Sequence, residues 1–230
     1  MDIAFYSEIG DRNTNEDAAE VVSSECSVLL ILADGVGSCE NGRLASATLV
    51  STVRGELNGC VPDEDALIDA IGLAGRILRE STESVSTTAA VVWLGEDGAV
   101  AAHVGDSRIY QFRDGRIVYQ SMDHSVAQLA VLAGELPPDA IRTSPDKNRL
   151  IRAVGSRSGK LRVDTEELRC QPGDAFLLCT DGFWNEVTEE EMLEDGRDAA
   201  TAQEWLGRMR ARIGRRNVRL DNHSAIVLRI

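Results

Sequence analysis

The chain has 230 residues, 43% of them hydrophobic and 27% charged, enough for one large domain or two small ones around a sizeable core. Its net charge of −14 argues against nucleic acid as a partner, because phosphates attract basic surfaces. No apolar run approaches the roughly 18 residues of a membrane helix. Residues 1–8 lack the basic start and apolar stretch of a signal peptide, so a cytoplasmic protein without membrane contact is expected.

Residues 2–7, 18–23 and 27–33 read as strands, the last apolar on both faces and therefore central. Two amphipathic helices follow. Residues 42–57 place Leu44, Ala45, Thr48, Leu49, Thr52, Val53 and Leu57 on one face, and residues 64–80 do the same with Leu67, Ala70, Ile71, Ala74, Ile77 and Leu78. Strands resume at 88–94, 99–104, 107–112 and 116–120, joined in hairpins by Asp97-Gly98 and Asp114-Gly115. Residues 124–158, with short helical pieces around Pro137, Pro138 and Pro145, read as an insertion over one edge of the sheets. Strands at 161–168 and 175–179, a helix at about 198–213 and a last strand at 224–230 complete the chain. Strands and helices do not alternate. The pattern predicts an α+β fold, antiparallel sheets stacked between helices, rather than a doubly wound parallel sheet.

The five cysteines (26, 39, 60, 170 and 179) form no C-x-x-C pair and read as reduced thiols. Acids crowd residues 186–198 and six arginines follow between Arg208 and Arg219, which reads as a solvated helix with charges matched to its dipole.

Asp-Gly occurs at 34–35, 97–98, 114–115, 181–182 and 195–196. At 97, 114 and 195 the preceding residues are polar, and a plain turn suffices. Asp34 and Asp181 instead end apolar strands, where a carboxylate is costly unless paired or bound to a cation. Asp221 sits just before the last apolar strand and Glu16-Asp17 just before the second. Such acids, with no matching cluster of histidines or thiolates, suit a hard cation such as Mg²⁺ or Mn²⁺. On this pattern alone, a carboxylate metal site and a scatter of turn and cap residues both remain open.

The stretches Gly10 to Asp17, Ala33 to Gly37, Ser86-Thr87-Thr88, Ala102 to Arg108, Met122 to Ser125, Cys179 to Gly182 and Asp221-Asn222 follow the order of motifs in type 2C protein phosphatases. The chain resembles the compact bacterial members of this metal-dependent (PPM) family along essentially its whole length. The resemblance implies a four-layer α/β/β/α sandwich in a single domain, 1–230, and a monomer. It implies that Asp34 bridges two Mn²⁺ or Mg²⁺ ions, that the Gly35 carbonyl binds one, and that Asp181 and Asp221 hold the other. Asp17 would orient metal-bound water with Glu16 in the same shell, and Asp123 with Asp181 would hold a third, looser cation. Arg12 would grip the substrate phosphate, a task suited to a guanidinium fork. Residues 124–158 would be the flap linked to substrate choice.

The implied reaction is hydrolysis of phosphoserine and phosphothreonine on proteins by a water bridging the two ions, reversing a cognate serine/threonine kinase. A pseudophosphatase would lack one of Asp34, Asp181 or Asp221, and all are present. Another two-metal hydrolase, such as a nuclease, is opposed by the acidic charge. The chain departs from the family pattern at Val36-Gly37-Ser38-Cys39, where bacterial relatives usually read Met-Gly-Gly-His, without losing a ligand. His103 reads as a satisfied core histidine, His124 as a flap contact and His223 as structural. Asp106 and Arg108 are expected to brace one another, and Trp184 to border the cleft.

Overall fold

The computed structural model describes residues 1–37, 39–57, 61–81, 85–157 and 160–230, the side chains of 39 and 40 aside. In chain order come β1 (Asp2–Glu8), β2 (Asp17–Ser23), β3 (Val28–Val36), then helices α1 (Cys39–Glu56) and α2 (Glu64–Glu80). Five strands follow: β4 (Ser86–Thr87), β5 (Ala89–Leu94), β6 (Ala99–Val104), β7 (Arg108–Arg113) and β8 (Arg116–Gln120). After α3 (Val126–Leu132) and a short 3-10 helix (Pro138–Thr143) lie β9 (Asp164–Leu168) and β10 (Ala175–Cys179). The helices α4 (Asp181–Trp184), α5 (Glu189–Arg197) and α6 (Ala202–Ile213) precede the last strand, β11 (His223–Arg229).

These strands form two antiparallel sheets, one ordered β1-β11-β10-β7-β8 and the other β2-β3-β5-β6-β9, with β4 beside β3. Three apolar clusters fill the spaces between layers. One joins α1 and α2 to the β3 sheet through Leu49, Val53, Leu67 and Ile71. A second packs α6 on the β10 sheet through Trp205, Leu206, Met209 and Ile213. The third lies between the sheets, where Leu30, Leu32, Val92, Phe176 and Ile226 are fully buried. This is the expected four-layer α/β/β/α arrangement. The central strands are apolar on both faces because each contributes to two of these clusters.

Several local expectations change. Leu44 and Ile77 are 55% and 44% exposed, because the buried stripes run instead through Ala45, Leu49 and Val53 and through Leu67, Ile71 and Leu78. The strand expected at 161–168 starts only at Asp164, since Leu161 leans on α2. Asp195-Gly196 is not a turn. It lies in α5, where a Cβ on Gly196 would stand 2.8 Å from the Trp205 ring. The acidic and basic stretch forms two helices rather than one, α5 being closed by a Thr188–Glu191 capping box. Arg212 reaches across to Asp195 at 2.6 and 2.8 Å, and Arg216 to Glu191 at 2.8 and 2.9 Å. Charges that suit one helix dipole thus join two helices. Cys26 is disulfide-bonded, against the expectation of reduced thiols, whereas Cys170 and Cys179 are free. Among the described residues no helix is long and apolar enough to cross a membrane.

The segment 124–157 leaves and rejoins the sheets at one place. Ile151 N donates to His124 O (2.9 Å), Val126 N to Arg149 O (2.8 Å) and Thr87 N to Val154 O (3.0 Å). Its two ends are therefore clasped together beside the ends of β3 and β6.

Candidate active site

Asp17 and Asp34 face each other as Cα partners in the β2–β3 register. The main chain at Asp34 is held on both sides. Its N–H donates to Thr88 Oγ1 (2.8 Å), and its carbonyl accepts from Thr87 Oγ1 (2.8 Å) and Thr88 N (2.8 Å). At Gly35 a Cβ would stand 2.1 Å from the Gly42 carbonyl oxygen, so only glycine lets the first turn of α1 lie this close.

From the other sheet, β10 delivers Asp181 as the first residue of α4, and Asp221 stands two residues before β11. Thr180 Oγ1 (3.0 Å) and Ser224 Oγ (2.7 Å) both donate to Asp17 Oδ2. Those two hydroxyls, together with the Asp17–Asp34 pairing, bring acids from both sheets to one mouth. The loop carrying Arg12 is stapled by Asn222. Its amide Nδ2 donates to Ile9 O (2.8 Å) and Thr14 O (3.0 Å), while its Oδ1 accepts from Glu16 N (2.9 Å). Gly10, at φ +58°, lies against the Asp221 carbonyl, where a Cβ would approach to 2.2 Å. Arg12 Nη2 donates to Asp221 Oδ2 at 2.5 Å. A hollow of about 310 Å³ beside this pair is lined by Arg12, Arg219, Leu220 and Asp221.

The mouth carries more negative charge than its neighbours neutralise. Burial, then the surrounding acids, pushes Asp34 and Asp106 well above the ordinary carboxylate range. Burial likewise raises Asp17 to about 7, against the two hydroxyl donors, and Asp181 to about 6, with Asp221 adding to the effect. Among the described residues, two buried oxygens, Asp17 Oδ1 and Glu16 Oε1, have no hydrogen-bond partner. Unpaired buried acceptors and carboxyls reluctant to ionise are what divalent cations with their waters relieve. The donor set is all oxygen, which suits Mg²⁺ or Mn²⁺. The residues present therefore fit such ions.

Asp123 stands apart. Both of its oxygens are taken by Arg108, Nε–Oδ1 and Nη2–Oδ2 each at 2.8 Å, with the two side chains only 2% and 4% exposed. A third cation at Asp123, as the resemblance implies, would share these oxygens with Arg108. Arg108 thus braces Asp123 and not Asp106, as the sequence had suggested. Its guanidinium also lies 3.6 Å over the Trp184 ring, and Trp184 Nε1 donates to Asp106 O (2.9 Å). Trp184, the last residue of α4, is buried rather than bordering open space.

Among the described residues, one triad brings metal-ligating atoms within 4.8 Å of one another: His103, His124 and Asp164. It is already filled. His124 Nδ1 accepts from Gly105 N (3.1 Å), which leaves the proton on Nε2, facing Asp164 Oδ2 at 3.1 Å. Arg152 Nη1 lies 2.8 Å from Asp164 Oδ1, a guanidinium where a cation would sit. His103 Nε2 contacts Met122 O (2.9 Å), and burial, with His103 close by, pushes His124 down to about 4.

Four contributors escaped the sequence reading of the site. Asn222 had a signal in its pairing with Asp221, but its staple runs to a loop more than 200 residues away. Thr180 and Ser224 look like ordinary strand-end hydroxyls. Lys147, from the 124–157 segment, donates to Asn185 Oδ1 (3.1 Å), and its charge draws the Asp181 carboxyl down. Ser38 and the Cys39 side chain lie outside the described residues.

Residues 6–218 match the Protein phosphatase 2C family. A serine/threonine phosphatase stp of Listeria monocytogenes is 30% identical over 206 residues, covering 84% of this chain and 81% of that protein. The crystal structure of the PPM Ser-Thr phosphatase MsPP from Mycobacterium smegmatis, in complex with cacodylate, superposes with a TM-score of 0.84 at 28% identity, over 100% of this chain and 98% of that one. The catalytic domain of PstP, in complex with two manganese ions, has the same fold (TM-score 0.75, 24% identity, 98% and 96% covered).

Proposed function

We propose, for a chain that belongs to the protein phosphatase 2C family and is a metal-dependent serine/threonine protein phosphatase, that it hydrolyses phosphoserine and phosphothreonine on proteins at the mouth formed by Asp17, Asp34, Asp181 and Asp221. The observation that carries this reading is the convergence of these acids from two sheets around the unpartnered Asp17 Oδ1, with Arg12 at the rim. Asp34 and the Gly35 carbonyl, with Asp181 and Asp221, would hold two Mn²⁺ or Mg²⁺ ions. Such ions supply an acidified water for in-line attack and neutralise phosphoryl oxygens.

The chain's own residues then have defined tasks. Asp17, steadied by Thr180 and Ser224, keeps one oxygen free to accept from the attacking water, with Glu16 Oε1 as a second buried acceptor. Arg12 exchanges Asp221 for the substrate phosphate, which its guanidinium fork matches better than a single carboxylate oxygen. Asn222 fixes the loop that carries Arg12 at a set distance from the acids. We read residues 124–158 as a flap within one domain, contributing Lys147 to the rim, and a cognate bacterial kinase as the source of the substrate.

The test is hydrolysis of p-nitrophenyl phosphate with Mn²⁺, with EDTA, and in Asp34→Asn and Asp181→Asn. Turnover that requires Mn²⁺ and is lost in both variants is expected. Full turnover in EDTA, or none with Mn²⁺, would refute the reading.

A further inference from the structure

We propose that the groove between α2 and residues 160–163 docks an acidic, amphipathic segment of a partner protein. It is lined by Ile68, Gly72, Arg76, Arg79, Lys160, Leu161 and Val163, and encloses about 350 Å³. Three of the seven lining residues are cations and none is an acid, in a chain whose net charge is −14.

The helix builds this groove at a cost to itself. Gly72 and Gly75 leave the backbone bare along one stripe. A Cβ on Gly72 would meet only the Arg76 guanidinium at 3.6 Å, whereas one on Gly75 would press Leu161 at 3.1 Å. Gly72 therefore floors an open channel, and Leu161 with Val163 forms its far wall. The same glycines stand four residues before Arg76 and Arg79, where a glutamate would pair with each arginine along the helix. Arg76 and Arg79 are three residues apart and repel one another. No ion pair neutralises Arg76, Arg79 or Lys160 among the described residues. Asp164, which follows the opposite wall in the chain, is already engaged by Arg152 at 2.8 Å and Arg162 at 3.4 Å.

Elsewhere the arginines are mostly spent on partners, as at Arg12, Arg54, Arg108, Arg113, Arg142 and Arg212. The unspent charge at this groove is complementary to acidic side chains, and the exposed Ile68 with Leu161 and Val163 suits apolar ones between them. From Ile68 to Arg79 the stripe runs about 16 Å, which an extended segment of about five residues spans. Pairing with the neighbouring edge strand β9 is a poorer alternative, because Asp164, Glu166 and Glu167 guard that edge with like charge. The groove lies on the outer helix layer and does not depend on the chemistry at the acids of the mouth.

The test is fluorescence anisotropy of a labelled peptide in which Glu and Leu alternate, with a Lys-Leu peptide as control, run beside p-nitrophenyl phosphate turnover with Mn²⁺. The intact chain should bind the Glu-Leu peptide and not its Lys-Leu counterpart. Arg76→Glu with Arg79→Glu should weaken binding about tenfold or more, and Lys160→Glu alone a few-fold, while turnover and helical circular dichroism stay unchanged. Equal binding by the intact chain and the double variant would overturn the proposal, as would no binding at all. A dimer of the intact chain that the double variant dissociates would assign the groove to a second copy instead, and so overturn it too.

Discussion

Two arginine–aspartate pairs in this chain behave as opposites. Arg12–Asp221 is a single 2.5 Å contact with the side chains 50% and 33% exposed, whereas Arg108–Asp123 is a sealed, two-pronged pair. Around the first, acids are crowded and two buried oxygens lack partners. Around the second, Glu189, Tyr110 and the Trp184 face complete the coordination of the guanidinium. An exposed single contact costs little to exchange, because water and salt already screen it. A buried pair resists exchange, because either partner left alone is a desolvated charge. The difference separates carboxylates crowded around unpartnered oxygens from one whose charge a buried arginine already matches.

The contrast breaks first where it is strongest. Arg108→Ala leaves Asp123 buried and unpaired, and should cost about 3–5 kcal/mol, a fall in melting temperature on the order of 10 °C. Differential scanning calorimetry measures it. A shift no larger than that of Arg12→Ala would erase the distinction. Arg108→Met with Asp123→Leu, which removes both charges at once, should recover most of the loss.

The open region should show itself through pH. Asp17, Asp34 and Asp181 keep their protons to higher pH in the fold than in the unfolded chain, chiefly because they are buried. Through Asp17 and Asp181 the folded chain then binds more protons than the unfolded one between about pH 4 and about pH 7, and Asp34 acts in the same direction. Stability from these groups is full below that window and is lost as pH rises through it. Melting temperature in EDTA should therefore fall by several degrees from about pH 5 to about pH 8. Mn²⁺ should restore it most at the upper end, and Asp17→Asn should flatten the curve. A flat profile for the unaltered chain would mean that the mouth acids are already compensated.

Arg12→Ala should leave the melting temperature nearly unchanged, since exposed pairs contribute about 0–1 kcal/mol. It should raise KM for phosphopeptides about tenfold or more, the loss of a charge-assisted contact to phosphate. Steady-state kinetics on a phosphothreonine peptide decide this, and an unchanged KM would remove Arg12 from substrate binding.

How much of this was legible before the structure follows from range. Asp34 and Asp181 announce themselves because an acid ends an apolar strand, a local signal. The strand-rich, non-alternating pattern gave the layers for the same reason. Asn222, Thr180 and Ser224 were opaque, since their partners at Ile9 and Asp17 are distant in the chain and the residues are ordinary in place. Arg108 misled because Asp106 is two residues away in sequence, while the true partner, Asp123, comes round on the far side of a hairpin. The charge run at 186–219 fitted one helix dipole as well as two bridged helices, and only tertiary packing chooses between them.

Glu189 is where the sealed region meets the proposed flap, and it tests the comparison most finely. Its Oε1 takes Tyr110 OH at 2.9 Å and Arg108 Nη1 at 3.2 Å, while Oε2 takes Arg142 of the 3-10 helix at 2.5 Å. Burial alone would raise this carboxyl, but Arg142, its own backbone N–H and Tyr110 together hold the group below its ordinary value. Glu189→Gln keeps an acceptor for Tyr110 and surrenders the charge that holds Arg142. Because the side chain remains partly exposed, the melting temperature should drop only a few degrees, well short of Arg108→Ala. If Arg142 tethers the segment over the mouth, KM for phosphopeptides should change a few-fold while turnover of p-nitrophenyl phosphate does not. A change in stability with neither KM altered would make the Arg142–Glu189 pair a part of the sealed region alone, and leave the segment free of it.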